Sequence, residues 1–181
     1  LDLDERLTRA LSDVGFISCT PIQAETLPLL LNGTDVAGQA QTGTGKTAAY
    51  LLAMLNTLLK DDISKVGFFK GEKSLPRGLV VAPTRELAIQ IYNDLEVLGK
   101  NANLSYALVY GGIDYETQKI KASQKVDILI GTPGRLIDFF KQGIFSLKNV
   151  KALVLDEADR MFDLGFIKDL RFLLRRVPDP S

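Results

Sequence analysis

A chain of 181 residues, 46% of them hydrophobic, can bury one core without covalent staples. Lysine plus arginine (22) balance aspartate plus glutamate (22), so no global positive field draws the chain to nucleic acid or anionic lipid, and any such contact must be local. A single cysteine, Cys19, and no histidine exclude a disulfide framework, a Cys/His zinc site and a histidine general base, and no apolar run approaches the ~18 residues needed to span a bilayer. A cytoplasmic protein without a membrane partner is expected.

In chain order, Leu3, Leu7, Ala10, Leu11 and Val14 recur at helical spacing, with Gly15 where a helix stops. A second helix is predicted from Pro21 to Leu31. Thr20, Pro21 and Gln23 form a capping box with proline at the first helical position. Val36-Ala37 reads as a short strand, and a helix follows Lys46. Lys60 to Arg77, rich in charge and glycine, reads as a surface insertion. Strand Gly78 to Ala82, a helix carrying Leu87, Ile91, Leu95 and Leu98, strand Tyr106 to Tyr110 and a polar helix near Thr117 come next. Strand Asp127 to Ile130, helix Arg135 to Lys141 and strand Lys151 to Leu155 complete the series. Such alternation predicts an α/β fold in one domain, a parallel sheet flanked by helices on both faces, with ligands gathering beyond the carboxyl ends of the strands.

Two stretches carry phosphate chemistry. In Ala40-Gln41-Thr42-Gly43-Thr44-Gly45-Lys46-Thr47 the glycines let backbone N–H groups turn inward and the following helix presents its positive end to an anion. Lys46 can reach β- and γ-phosphates, and Thr47 offers a hydroxyl to Mg²⁺. Ala40 stands where the strict pattern has its first glycine. The second stretch is Asp156-Glu157-Ala158-Asp159, after the apolar Leu153-Val154-Leu155. Asp156 suits a water-coordinated Mg²⁺, Glu157 can orient and deprotonate an attacking water, and Asp159 suits coupling. Read alone, these acids could equally cap a helix. Gln23 has the donor and acceptor that pair with adenine N6 and N7, although the capping box by itself also accounts for it.

These stretches together resemble the DEAD-box RNA helicase family. Gly15 to Gln23 is similar to its Q motif and Ala40 to Thr47 to its motif I. Pro83-Thr84-Arg85-Glu86-Leu87-Ala88 is similar to motif Ia, Gly111-Gly112 to the double glycine, Thr132-Pro133-Gly134-Arg135 to motif Ib, and Asp156 to Asp159 to the motif that names the family. Arg160 to Gly165 with Phe166-Ile167-Lys168-Asp169 is most like the bacterial RhlB type. The resemblance implies a RecA-like phosphate-loop fold, ATP with Mg²⁺, and RNA as second substrate. It assigns Thr20, Gln23, Gln41, Thr42, Gly43, Thr44, Gly45, Lys46 and Thr47 to the nucleotide, with Lys46, Asp156 and Glu157 catalytic and Thr47 and Asp156 at the metal. Pro83, Thr84, Arg85, Gly111, Gly112, Thr132, Pro133, Gly134 and Arg135 are assigned to the sugar-phosphate backbone of one RNA strand. Arginines that can meet phosphates and helix starts that offer N–H groups agree with that, and none of these residues reads base edges. For Arg85 and Glu86 a solvated helix start is the plainer alternative.

The resemblance further implies that 1–181 is the amino-terminal RecA-like domain of a longer, monomeric enzyme. The second domain would carry the arginine fingers and the docking site for an endoribonuclease of an RNA-degrading assembly. The chain alone is therefore expected to hydrolyse ATP very slowly and not to unwind RNA. A non-enzymatic RNA-binding scaffold is the competing reading, against which the intact Lys46, Thr47, Asp156 and Glu157 weigh. A GTPase would want an Asn-Lys-x-Asp guanine reader, which does not occur.

Overall fold

The computed structural model describes residues 1–41, 43–61, 72–112 and 114–179. Its elements are α1 (Glu5–Asp13), α2 (Pro21–Leu31), α3 (Lys46–Lys60), β1 (Gly78–Val81), α4 (Arg85–Leu98), β2 (Tyr106–Val109), α5 (Tyr115–Ser123), β3 (Ile128–Gly131), α6 (Pro133–Lys141), β4 (Ala152–Leu155), α7 (Ala158–Asp163) and α8 (Ile167–Leu174). They fall into two compact units, Leu1–Ile63 with Asn93–Asn103, and Ser64–Tyr92 with Leu104–Ser181. Among the described residues no helix is long and apolar enough to cross a membrane.

In the first unit α3 packs against both α1 and α2. Leu7 and Ala10 of α1, Leu27 of α2 and Leu51, Leu55 and Leu58 of α3 are buried. Asp4 caps α1 by accepting from the Arg6 backbone N–H, and its own N–H donates to Asn56 Oδ1 at 2.8 Å, tying the start of α1 to α3. The Arg6 guanidinium bonded to Asp4 holds that carboxyl down at about 2. Because the folded value is depressed, this contribution to stability is complete above the ordinary carboxylate range and is lost as pH falls toward 2.

The second unit is built on a parallel sheet in the order β2-β3-β1-β4. Leu79, Val81, Ala107, Val109 and Leu129 line one face and share a core with Leu136 and Phe139 of α6, Met161 of α7 and Leu170 and Leu173 of α8. Val80, Ile128 and Ile130 point to the other face and are equally buried, which is why these strands read as continuous apolar runs rather than alternating ones. The crossovers β1 to β2 and β3 to β4 travel in opposite directions. Right-handed connections then put α4 and α6 on opposite faces, with the ligand-binding crevice of such sheets at the carboxyl ends of β1 and β3.

The amino-terminal edge of this sheet is fixed by a buried ion pair. Arg77 Nη2 donates to Asp127 Oδ1 at 3.0 Å, with side chains 5% and 8% exposed, while the Ser105 N–H and hydroxyl both donate to Asp127 Oδ2. The Arg77 N–H also bonds the Asp127 carbonyl, and its carbonyl accepts from Lys151. One carboxylate thus gathers the entries to β1, β2 and β3.

The strands and helices from Gly78 to Leu155 lie within a residue or two of where alternation predicts them, and two short helices, α7 and α8, follow the acidic run. Two expectations are corrected. Val36-Ala37 forms no strand: two apolar residues between Asp35 and Gly38 are too few to hold a ladder, and Ala37 is exposed. The Lys60 to Arg77 stretch is not surface throughout. Residues 62–71 lie outside the described residues, but Ser74 makes a parallel bridge to Phe145, and Pro76 and Arg77 are buried.

Removing one partner of a buried ion pair costs about 3–5 kcal/mol. Asp127→Ala should therefore destabilise the protein by that amount in denaturant titration, and a change below about 1 kcal/mol would show that the pair is not structural.

Candidate functional site

In the first unit the phosphate loop and the start of α2 are bonded to each other. Gly43 and Gly45 both take φ of +86°, and Gly45 caps α3. Thr20 Oγ1 donates to the Thr44 carbonyl at 2.8 Å and Gln23 Nε2 donates to the Gly45 carbonyl at 3.0 Å. The capping box is formed as well: Gln23 Oε1 accepts from Thr20 N–H and Thr20 Oγ1 from Gln23 N–H. A Cβ on Gly45 would lie 2.5 Å from Gln23 Nε2 and 2.9 Å from Thr20 Oγ1, so both the left-handed turn and the close approach require glycine. Thr44 Oγ1 donates to the Gln41 carbonyl, and Lys46 and Thr47 open α3. Thr42 lies outside the described residues.

The Gln23 amide has two N–H donors and two acceptor lone pairs. The loop and the capping box use one of each, leaving one donor and one acceptor, the complement of adenine N7 and N6. Beside Gln23 is a pocket of about 140 Å³ whose lining includes Phe16, Ile17, Leu27, Ala48 and Leu52, an apolar wall suited to a base.

In the second unit the decisive geometry is register. Val81 pairs with Gly131 and with Leu155, and Val109 pairs with Gly131, so all the strands end in one row. The next residue after β1, β3 and β4 is pinned to a neighbour's last carbonyl: Ala82 N–H to Gly131 O (3.0 Å), Thr132 N–H to Val109 O (3.1 Å) and Asp156 N–H to Val81 O (3.0 Å). The loops therefore emerge side by side, about 4.8 Å per strand, in the order Gly111-Gly112, Thr132 to Arg135, Pro83 to Arg85, Asp156. Gly131 permits this closeness, since a Cβ there would lie 2.7 Å from the Val109 carbonyl and 2.8 Å from Leu136 Cγ.

Among the described residues β2 has no outer neighbour at the sheet edge, and a side chain replaces one. Buried Gln118 of α5 accepts from Tyr110 N–H through Oε1 at 2.9 Å, and the same oxygen accepts from Arg135 Nη1 at 3.2 Å. The Arg135 guanidinium lies 4.7 Å from the centre of the Tyr115 ring and 5.5 Å from that of Phe139. Gln118 thus joins the double-glycine loop to the Thr132 to Arg135 turn. Arg85 is exposed, paired loosely with Glu86 at 3.5 Å, and its guanidinium reaches to 3.6 Å from where a Gly112 Cβ would be. Gly111, Gly112 and Gly134 are exposed, Thr84, Thr132 and Arg135 half-buried, and Pro83 and Pro133 buried, where they shape the loops. Thr84 Oγ1 accepts from Leu87 N–H, and α4 and α6 begin here with their N–H groups facing outward from the sheet edge.

At the end of the row Asp156 is 4% exposed. Glu157 adopts φ +51° and ψ +50°, a left-handed conformation costing about 1–3 kcal/mol in a residue of this type, and this lets α7 start directly after the strand. Its Oε2 lies 3.4 Å from Arg160 Nη1, and Asp159 is exposed on the first turn of α7. Among the described residues no three His, Cys, Asp or Glu side chains form a metal cage. A single buried carboxylate fits Mg²⁺, which is commonly held by one or two protein oxygens together with waters and substrate phosphates.

Gln118, Tyr115 and Gly131 are not among the residues predicted from sequence. Only the glycine carried a signal, an apolar strand ending in Gly immediately before Thr-Pro-Gly. Gln118→Leu keeps the shape but removes the acceptor, which should cost about 1–3 kcal/mol and accelerate hydrogen exchange at the Tyr110 amide. Unchanged exchange there would refute the bracing role.

A helix-flanked parallel sheet whose motif-bearing loops leave its carboxyl edge defines a RecA-like domain of the helicase class. The chain belongs to the DEAD/DEAH box helicase family, whose model matches residues 20–181. It is 53% identical over 181 residues to a Pseudoalteromonas atlantica protein named ATP-dependent RNA helicase RhlB, and 56% identical to one of the same name from Vibrio parahaemolyticus. All of this chain is matched, but only 41% and 40% of those proteins, so the chain spans about two fifths of their length. The crystal structure of a hypothetical ATP-dependent RNA helicase from Sulfolobus tokodaii superposes with a TM-score of 0.83 at 35% identity, covering 96% of this chain and 47% of that one.

Proposed function

We propose that this chain is the ATP- and RNA-binding amino-terminal domain of a cytoplasmic, monomeric ATP-dependent RNA helicase of the RhlB type, which separates short duplexes. The observation that carries the reading is the level row of loops: Gly111-Gly112, Thr132 to Arg135 and Pro83 to Arg85 stand side by side on the sheet edge that also bears Asp156. Exposed glycines allow a sugar-phosphate backbone close approach, while Arg85, Arg135 and two helix starts supply charge and donors. Since these groups meet backbone rather than base edges, binding is independent of sequence.

On the nucleotide side, Gln23 selects adenine and the glycine-shaped loop with Lys46 binds the phosphates. Thr20, bonded to the Thr44 carbonyl, holds that loop in shape. Thr47 and Asp156 would hold magnesium, partly through water, and the ion supplies charge neutralisation on the terminal phosphates. Glu157 orients and deprotonates the attacking water, and Asp159 couples hydrolysis to RNA. Similarity to about two fifths of the RhlB proteins supports a second RecA-like domain supplying arginine fingers, whose absence typically costs about 10³–10⁵ in rate. The isolated chain then binds nucleotide, hydrolyses it very slowly and does not unwind. Docking to an endoribonuclease belongs to that second domain.

The test is Mg-ATP binding by calorimetry. Lys46→Ala should abolish it. Gln23→Glu keeps the capping box but removes the Nε2 donors, so preference for ATP over GTP should fall by about 10–100-fold, and loss of the bond to the Gly45 carbonyl should lower stability by about 1–3 kcal/mol. Equal selectivity in wild type and Gln23→Glu would remove the adenine assignment, and RNA-stimulated turnover by the isolated chain would contradict the need for a second domain.

A further inference from the structure

The charge of this neutral chain is unevenly placed. Lys168 to Arg176 holds four cations and a single carboxylate, Asp169, a net charge of +3. At 3.6 residues per turn, Lys168, Arg171, Phe172, Arg175 and Arg176 fall within an arc of about 140°, opposite the buried Leu170 and Leu173. Lys168, Arg171, Arg175 and Arg176 are all exposed, and none has a carboxylate partner among the described residues. Lys141 at the end of α6 adds a fifth cation, its Nζ 5.4 Å from the centre of the Phe172 ring, while the Arg176 guanidinium lies 3.4 Å from that centre.

Helix chemistry accounts for only part of this face. A solvated helix mixes signs at i,i+3 and i,i+4, where like charges destabilise, yet here Lys168, Arg171 and Arg175 repeat one sign at those spacings. The helix dipole favours Arg175 and Arg176 at the carboxyl end, where Arg176 Nη1 also donates to the Phe172 carbonyl. It disfavours Lys168, which sits in the first turn. Three exposed guanidiniums beside a half-buried aromatic ring are instead what phosphate oxygens recognise.

We propose that this face of α8, with Lys141, is a second contact for an RNA sugar-phosphate backbone, independent of base sequence and distinct from the loops at the sheet's carboxyl edge. Lys141 is six residues beyond Arg135 on α6, about 9 Å further along the helix axis. RNA that leaves the loops would gain a second hold here, so the inference rests on the RNA-binding reading for the identity of the polyanion.

The test is fluorescence anisotropy of a labelled oligouridine with this 181-residue chain across a KCl series. Lys168→Gln/Arg171→Gln/Arg175→Gln should lower the slope of log affinity against log salt by about 2, roughly 0.7 for each phosphate that is no longer neutralised. Lys168→Arg/Arg171→Lys/Arg175→Lys should restore the slope, and Mg-ATP binding should be unaffected in both. If the glutamine variant matches wild type while Arg85→Gln weakens binding, the α8 contact is overturned and the RNA-binding reading stands. If wild type binds no oligouridine, both fall. If polyglutamate binds wild type but not the glutamine variant, and oligouridine binds both equally, the face takes an acidic protein and the inference is overturned.

Discussion

The register of the parallel sheet is the constraint on which the proposed RNA-binding edge depends. Because Val81, Val109, Gly131 and Leu155 stand in one row, the loops that follow cannot scatter. A shift of one residue in any strand would exchange the side chains of its two packed faces, replacing one set of close apolar contacts with another that does not fit. Hydrophobic burial thus holds the row in place, and the bonds from Ala82, Thr132 and Asp156 extend the ladder one step into the loops themselves. At the opposite edge, the Arg77–Asp127 pair sets where β1 and β3 begin. Position at the functional edge is therefore inherited from packing and from a charge pair at the far end of the strands.

The other recurring theme is one polar group serving two neighbours. Gln118 Oε1 closes the open edge of β2 and restrains Arg135, so two loops assigned to one RNA strand share a brace. Gln23 closes a capping box and holds the Gly45 carbonyl, which leaves one donor and one acceptor for the proposed adenine contact. For Gln23, local stability and the proposed adenine contact are compatible. The atoms that cap the helix also set the orientation in which the remaining ones can read a base.

Much of the fold was legible because a buried parallel sheet writes itself as apolar runs separated by amphipathic helices, and Gly78 to Leu155 follows that rule closely. The capping box was legible because it is local in sequence. Val36-Ala37 misled because two apolar residues state a preference without a partner to pair with. The Ser74 to Arg77 segment looked like surface, since the pairing of Ser74 with Phe145 and of Arg77 with Asp127 joins residues far apart in the chain. Gln118 was invisible for the same reason: a glutamine on a polar helix gains its meaning only from an edge strand with an unsatisfied N–H. From sequence Arg135 reads as a phosphate ligand, but its stacking on Tyr115 and Phe139, which fixes its direction, is visible only in the packed structure.

The central claim is that the row of loops forms one continuous backbone-binding edge, and amide hydrogen exchange with and without a saturating single-stranded RNA tests it most directly. The account predicts that Thr84 to Arg85, Gly111-Gly112 and Thr132 to Arg135 gain protection together, to the same extent with oligouridine and oligoadenosine, and that the gain fades together as salt rises. Protection confined to one of these loops, or dependent on base identity, would contradict it.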